Sequence, residues 1–184
     1  MDQHGDTLLV ANRWVDAEDQ VICTEHRQIE FGGDDDSRII DLDIELLSRE
    51  SPLRLGDTKE GTMAMRLAPP LRLDGNLAHG SYLTSEGVKD GEAWGTRARW
   101  VASYGMLEGS PVTVVMFYHP ANPNHPTWWH ARSYGLFAAN PFGRRDFEGS
   151  EAPSGAVLAL DGVPIRFRYR VLILDEEVDA ADLN

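Results

Sequence analysis

Cysteine is almost missing: Cys23 stands alone in the chain, which excludes an internal disulfide and any zinc site built from several cysteines. No stretch approaches the roughly twenty apolar residues that a membrane helix needs. The opening Met1-Asp2-Gln3-His4 has none of the features of a signal peptide. A soluble, cytoplasmic protein is the expectation. Basic residues are scarce, with 17 Lys and Arg against 30 Asp and Glu and a formal net charge of -13. That balance repels a polyanion, so nucleic acid is not an expected partner, and the lack of a spanning segment leaves a membrane equally unexpected. Helical periodicity is nearly absent too.

What the sequence does contain is ordinary globular composition, 42% hydrophobic and 26% charged over 184 residues, which fits one domain with a core of its own. Residues 1–184 are read as that single domain, ending in an acidic tail over 175–184. The dominant period is two. Ile40, Leu42, Ile44 and Leu46 alternate with Asp41, Asp43 and Glu45, and Ile165, Phe167, Tyr169, Val171 and Ile173 alternate with Arg166, Arg168 and Arg170. Two such strands in one sheet would set the arginines against the carboxylates. Val21 to Phe31, Met63 to Ala68 and Trp94 to Tyr104 also read as strands, the last with Trp94, Ala98, Trp100 and Ala102 on one side. Val112 to Tyr118 is a continuous apolar run suited to a central strand. Turn signals at Gly32-Gly33, Asp74-Gly75, Lys89-Asp90-Gly91 and Asp161-Gly162 separate these segments. The fold class is therefore all-β, an antiparallel β-sandwich.

Chemistry concentrates in the segment from His119 to Arg132, which holds three histidines, two tryptophans, three prolines and an arginine. Prolines fix φ and restrict the residues before them, so this loop can hold side chains in place. A capping turn, a metal site and a sugar site all fit such a composition. His119, His125 and His130 are the candidate metal ligands, but their spacing matches no standard pattern, and no cofactor is expected. Sugar binding fits better, because tryptophan faces cover apolar sugar faces while His, Arg and Asn reach hydroxyls. Asn122, Trp129, His130 and Arg132 are the first candidates. Alternation refines them: Trp128, His130 and Arg132 share a strand face, which makes Trp128 the stacking platform and sends Trp129 to the core. A second cluster, Gly56-Asp57-Thr58-Lys59-Glu60-Gly61 with Arg66, brings two basic groups and two carboxylates to one turn. Lys59 and Glu60 there are candidates for acid and base work.

Read together, Gly56 to Gly61 with Arg66, Trp94-Gly95 with Trp100, and His125-Pro126-Thr127-Trp128-Trp129-His130-Ala131-Arg132 followed by Tyr134 to Gly143 resemble the bacterial PmoA-like family. That family's label, methane oxygenase, sits badly with a chain lacking any membrane span. The resemblance implies a galactose-mutarotase-like β-sandwich and a carbohydrate context. It covers the family's C-terminal portion, since the earlier motif His-Pro-His-His-Arg-Gly has no counterpart here, so the fold is expected to be incomplete at the N-terminus. Exposed edges would then favour a homo-oligomer or pairing with a missing N-terminal half. The expected function is binding of, or acid/base chemistry on, a small-molecule carbohydrate. Lys59, Glu60 and His130 are the catalytic candidates, and Arg66, Asn122, Trp128, Arg132 and Asn140 the substrate-binding ones. The alternatives are a non-catalytic sugar-binding remnant and a metal-dependent oxygenase.

Overall fold

The structure, a computed structural model, describes residues 6–48, 52–159, 162–177 and Leu183. Two antiparallel sheets dominate it. The larger has seven strands in the order β1 (Thr7–Val15), β2 (Val21–Gly33), β3 (Ser37–Leu47), β13 (Ile165–Leu174), β9 (Ser110–Tyr118), β8 (Trp100–Leu107) and β6 (Ser81–Thr84). The smaller has four, β5 (Met63–Arg66), β11 (Leu136–Asn140), β10 (Thr127–Ala131) and β7 (Arg97–Ala98). A short pair, β4 (Leu53–Leu55) with β12 (Val157–Ala159), lies beside them. The helical elements with described bounds are short: the single turn α1 (Arg144–Glu148) and two 3-10 turns, Pro69–Leu71 and Asp90–Ala93. An all-β, sandwich-like architecture is what the alternating patterns require, because each strand has one apolar face to bury.

One core lies between the two sheets. Leu42, Ile44 and Leu46 of β3, Met116 of β9 and Phe167 and Tyr169 of β13 meet Trp129 and Ala131 of β10 and Phe137 of β11. A hydrogen bond ties the two layers, the Tyr82 hydroxyl of β6 donating to the Arg132 carbonyl at 3.0 Å, while within the small sheet Trp129 Nε1 donates to the Ala98 carbonyl at 3.0 Å. β9 is central, paired with β8 on one side and β13 on the other, as its uninterrupted apolar run demands. β3 and β13 are neighbours with Arg166 opposite Glu45, Arg168 opposite Asp43 and Arg170 opposite Asp41.

One expected element is different. Trp94 to Tyr104 is not a single strand: Trp94 follows the 3-10 turn, Arg97–Ala98 joins the small sheet, and the chain crosses at Arg99 to enter the large sheet at Trp100. Ala98 therefore faces the main core, while Trp100 and Ala102 form a second apolar cluster with Val115. Alternation assigns faces only within one strand, and the crossing at Arg99 resets it. The acidic tail expected over 175–184 lies largely outside the described residues, with Asp175 to Glu177 and Leu183 inside them.

Candidate functional site

The site begins with the pairing of β10 and β11, in which Trp128 stands opposite Asn140, His130 opposite Ala138 and Ala131 opposite Phe137. Paired residues share a face. Trp129, Ala131, Phe137 and Ala139 point into the core, so Trp128, His130, Ala138 and Asn140 occupy the outer face of the small sheet. Ala64 of β5 extends the row from Ala138, and Arg66 pairs with Leu136.

Over this face lie α1 and the loop 56–61. Asn140 holds both: its Nδ2 donates to the Thr58 carbonyl at 3.0 Å, and its Oδ1 accepts from the backbone N–H of Phe142 at 2.9 Å and Gly143 at 3.0 Å. Asp57 adds a second tether, accepting from the N–H of Arg145 at 3.3 Å and of Gly155 at 2.6 Å. The approach is close enough to require glycine at 143, where a Cβ would lie 2.5 Å from Asn140 Nδ2 and 2.7 Å from the Phe147 ring. This tethering brings Lys59 and Glu60, far from His130 in sequence, into its electrostatic range.

His130 is 5% exposed. Its ring meets Trp94 edge-on at 6.3 Å between centroids and Phe147 at 6.1 Å, and Trp94 and Phe147 meet each other at 5.2 Å. The Arg132 guanidinium lies over the Trp94 ring, 5.3 Å from its centre, in the range of a cation–π contact. Three nitrogens in this small volume are buried without a hydrogen-bond partner: Trp94 Nε1, His130 Nδ1 and Arg132 Nε. An unmade hydrogen bond costs roughly 1–3 kcal/mol per buried group, so their concentration at one place is a strong signal that the partners come from outside the chain. Burial pushes the His130 pKa below its ordinary value and the positive charge of Arg132 pushes it the same way; Glu60 opposes them, Lys59 adds to them and Asp146 opposes. The imidazole is thus neutral near pH 7 and available as a proton acceptor. The Arg132 guanidinium suits an oxygen-rich or anionic group.

Not every expected residue belongs here. Trp128 is 2% exposed; its Nε1 donates to Glu148 Oε1 at 3.0 Å, and Arg97 covers its ring at 4.5 Å. It is a buried pillar under α1 and not a stacking platform, because the helix closes the face that alternation alone leaves open. Asn122 is elsewhere, bridging to β13 by donating to the Arg168 carbonyl at 2.7 Å and accepting from the Arg168 N–H at 2.8 Å. Asn140 has its donor and acceptor engaged with backbone, which makes it a positioning residue for the loop. Arg66 stands at the margin of the face, over the Tyr134 ring at 5.3 Å. The three histidines are not gathered together: His125 stacks on Tyr118 at 6.0 Å, and His119 Nδ1 accepts from the Ala121 N–H at 3.0 Å. Among the described residues no group of three or more His, Cys, Asp or Glu is placed to hold a metal ion.

Trp94, Phe147 and Asp146 also belong to this site, the first two by ring contact and the third by its charge, and sequence periodicity points to none of them. Trp94 owes its place to the N–H of Gly95, which donates to the Trp129 carbonyl at 2.7 Å and aligns 94 beside 130. Phe147 sits on a helix of five residues, too short to show a period. The one available signal for it was the turn sequence Asn140-Pro141-Phe142-Gly143 just ahead.

An all-β protein with a cluster of buried nitrogens from Trp94, His130 and Arg132 on the outside of its smaller sheet is the class this geometry defines. The chain belongs to the family of unknown function DUF6807, whose match runs over residues 2–184. That match corrects the resemblance to the PmoA-like family and its restriction to a C-terminal portion, since it is a different family and takes in essentially the whole chain. No curated protein matches the chain. Among the described residues no helix is long and apolar enough to cross a membrane.

Proposed function

We propose that the protein binds a small carbohydrate at the Trp94–His130–Arg132 cluster and acts on it by proton transfer, with neutral His130 as the base. The observation that carries this reading is the set of three partnerless buried nitrogens around one imidazole, since a hydroxyl-rich ligand supplies several donors and acceptors within a small volume. Arg132 orients the ligand by its guanidinium, and the Trp94 and Phe147 rings exclude water from the imidazole. Lys59 and Glu60, on the loop that Asn140 and Asp57 tether, provide a donor and an acceptor on the solvent side. Trp94 replaces Trp128 as the aromatic element.

A second reading, sugar binding without turnover, is favoured by the exposure of both Lys59 and Glu60, because an acid or base in open water gains little from its surroundings. Calorimetric titration of the protein with a panel of aldoses and uronates tests binding. Replacement by Asn of His130, or by Gln of Arg132, is expected to weaken the best ligand by about 10- to 100-fold, the range for losing a charged or buried hydrogen bond. Deuterium incorporation into that ligand in heavy water, seen by proton NMR, then separates turnover from binding. A panel with no binder overturns the carbohydrate reading.

A further inference from the structure

On the opposite side of the molecule, the outer face of the seven-stranded sheet forms an open groove of about 680 Å3. Its floor is apolar, built from Trp100, Phe117, Ile39 and Leu172, and Leu183 packs against the Trp100 end. Groove volumes of roughly 300–1,000 Å3 with apolar walls and a few polar groups are typical of small-molecule sites.

Charge in this groove is arranged unevenly. Arg170 engages Asp41 through two hydrogen bonds of 2.7 Å. Arg166 reaches diagonally to Asp43, with Nε donating to Oδ1 at 2.6 Å, although Asp43 stands opposite Arg168 in the ladder. That diagonal choice occupies the carboxylate Arg168 would otherwise take. Arg168 is half-buried along the groove, and among the described residues its guanidinium has no carboxylate partner. Its backbone is fixed at both N–H and carbonyl by Asn122, so the side chain leaves the sheet from a rigid point. His119, also on the groove wall, has its pKa lowered first by burial and then by the Arg168 charge. A second independent sign is Trp100, 2% exposed on the floor, whose Nε1 has no acceptor.

We propose that this groove is a second ligand site, independent of His130, which takes a small molecule with a flat apolar body and a carboxylate. Arg168 binds the carboxylate, and Phe117, Leu172 and Ile39 cover the body. Arg168 stands without a carboxylate partner between two ion pairs and is available to an added anion, because the carboxylates that line the groove are already engaged, Asp41 by Arg170, Asp43 by Arg166 and Glu30 by the side-chain amide of Gln28. Guanidinium and carboxylate match in a two-pronged geometry, and the apolar floor adds affinity in proportion to the area covered.

The probe is 2-naphthoate, titrated calorimetrically against the folded protein, with 2-naphthylmethanol as the neutral counterpart. Saturable one-to-one binding of the acid is expected, with the alcohol about tenfold or more weaker, the scale of one charge-assisted hydrogen-bonded pair. Arg168→Gln is expected to bring the acid down to the alcohol's affinity, Phe117→Leu to weaken both, and His130→Asn to change neither, which keeps this site distinct from the first. Circular dichroism checks that Arg168→Gln is folded, as an unpaired side chain permits. No saturable binding of 2-naphthoate, equal affinity for acid and alcohol, or a folded Arg168→Gln variant that binds like the parent would each overturn the proposal.

Discussion

At the scale of single residues, the site depends on a histidine that burial keeps neutral. Both burial and Arg132 lower its pKa, so any process that needs the unprotonated ring should persist as pH falls through about 6.5, the usual histidine value, and fail only at more acid pH. A pH profile of ligand affinity checks this, and a midpoint above that of free histidine would contradict it. Trp128 sits at the same face with a different task. Trp128→Ala is expected to cost about 3–5 kcal/mol by opening a cavity under α1, whereas Trp128→Phe, which loses mainly the Glu148 hydrogen bond, should cost about 1 kcal/mol. Urea unfolding measures both. The face of His130 was legible in the sequence because β10 carries Trp128 and His130 at alternate positions, with Arg132 one residue past the strand's end in the turn to β11. The cover over Trp128 was not, because it comes from five residues whose position depends on tertiary hydrogen bonds from Asn140 and Asp57.

Among the elements, β3 and β13 were the most legible, since each has a long unbroken alternation with charges of opposite sign. Their ladder sets Arg170 against Asp41. A double-mutant cycle on that pair should give only about 0.2–1 kcal/mol, because both side chains are solvent-accessible. The segment 94–104 was illegible for the converse reason: a crossing between sheets leaves no mark on a sequence whose apolar residues continue on both sides of it. The loop 56–61 could not be connected to His130 from sequence either, as the contact spans the whole of the intervening chain. Gly143→Ala tests that connection, since a Cβ would press on Asn140 Nδ2 at 2.5 Å; the expected loss is about 1–3 kcal/mol, together with weaker ligand binding. β1 occupies the edge of the large sheet, with Leu9 73% exposed and Leu8, Trp14 and Val15 also open to solvent. An apolar edge strand of nine residues is a template for a second chain. Sedimentation is expected to show a concentration-dependent dimer that Leu9→Lys weakens, and a parent that stays monomeric at high concentration would contradict this.

For the whole molecule, three histidines act together. Burial is the leading cause of a lowered pKa at His119, His125 and His130 alike. Between the unfolded value, near 6.5, and the lower folded values, the unfolded chain binds more protons than the native one, so stability rises with pH across that window and is lost as pH falls through it. The urea midpoint should therefore be lower at about pH 5.5 than at about pH 7.5; equal midpoints would show that the rings are not held neutral by the fold. The central claim, that a neutral His130 forms part of a carbohydrate site, is tested most directly by NMR of the intact protein labelled with nitrogen-15 in its histidine rings. With His130→Asn used to assign the resonance, the His130 ring is expected to be neutral near pH 7 and its nitrogen shifts to move saturably as the sugar that binds best is added. A ring already protonated at neutral pH, or one unmoved at saturating sugar, would contradict the account.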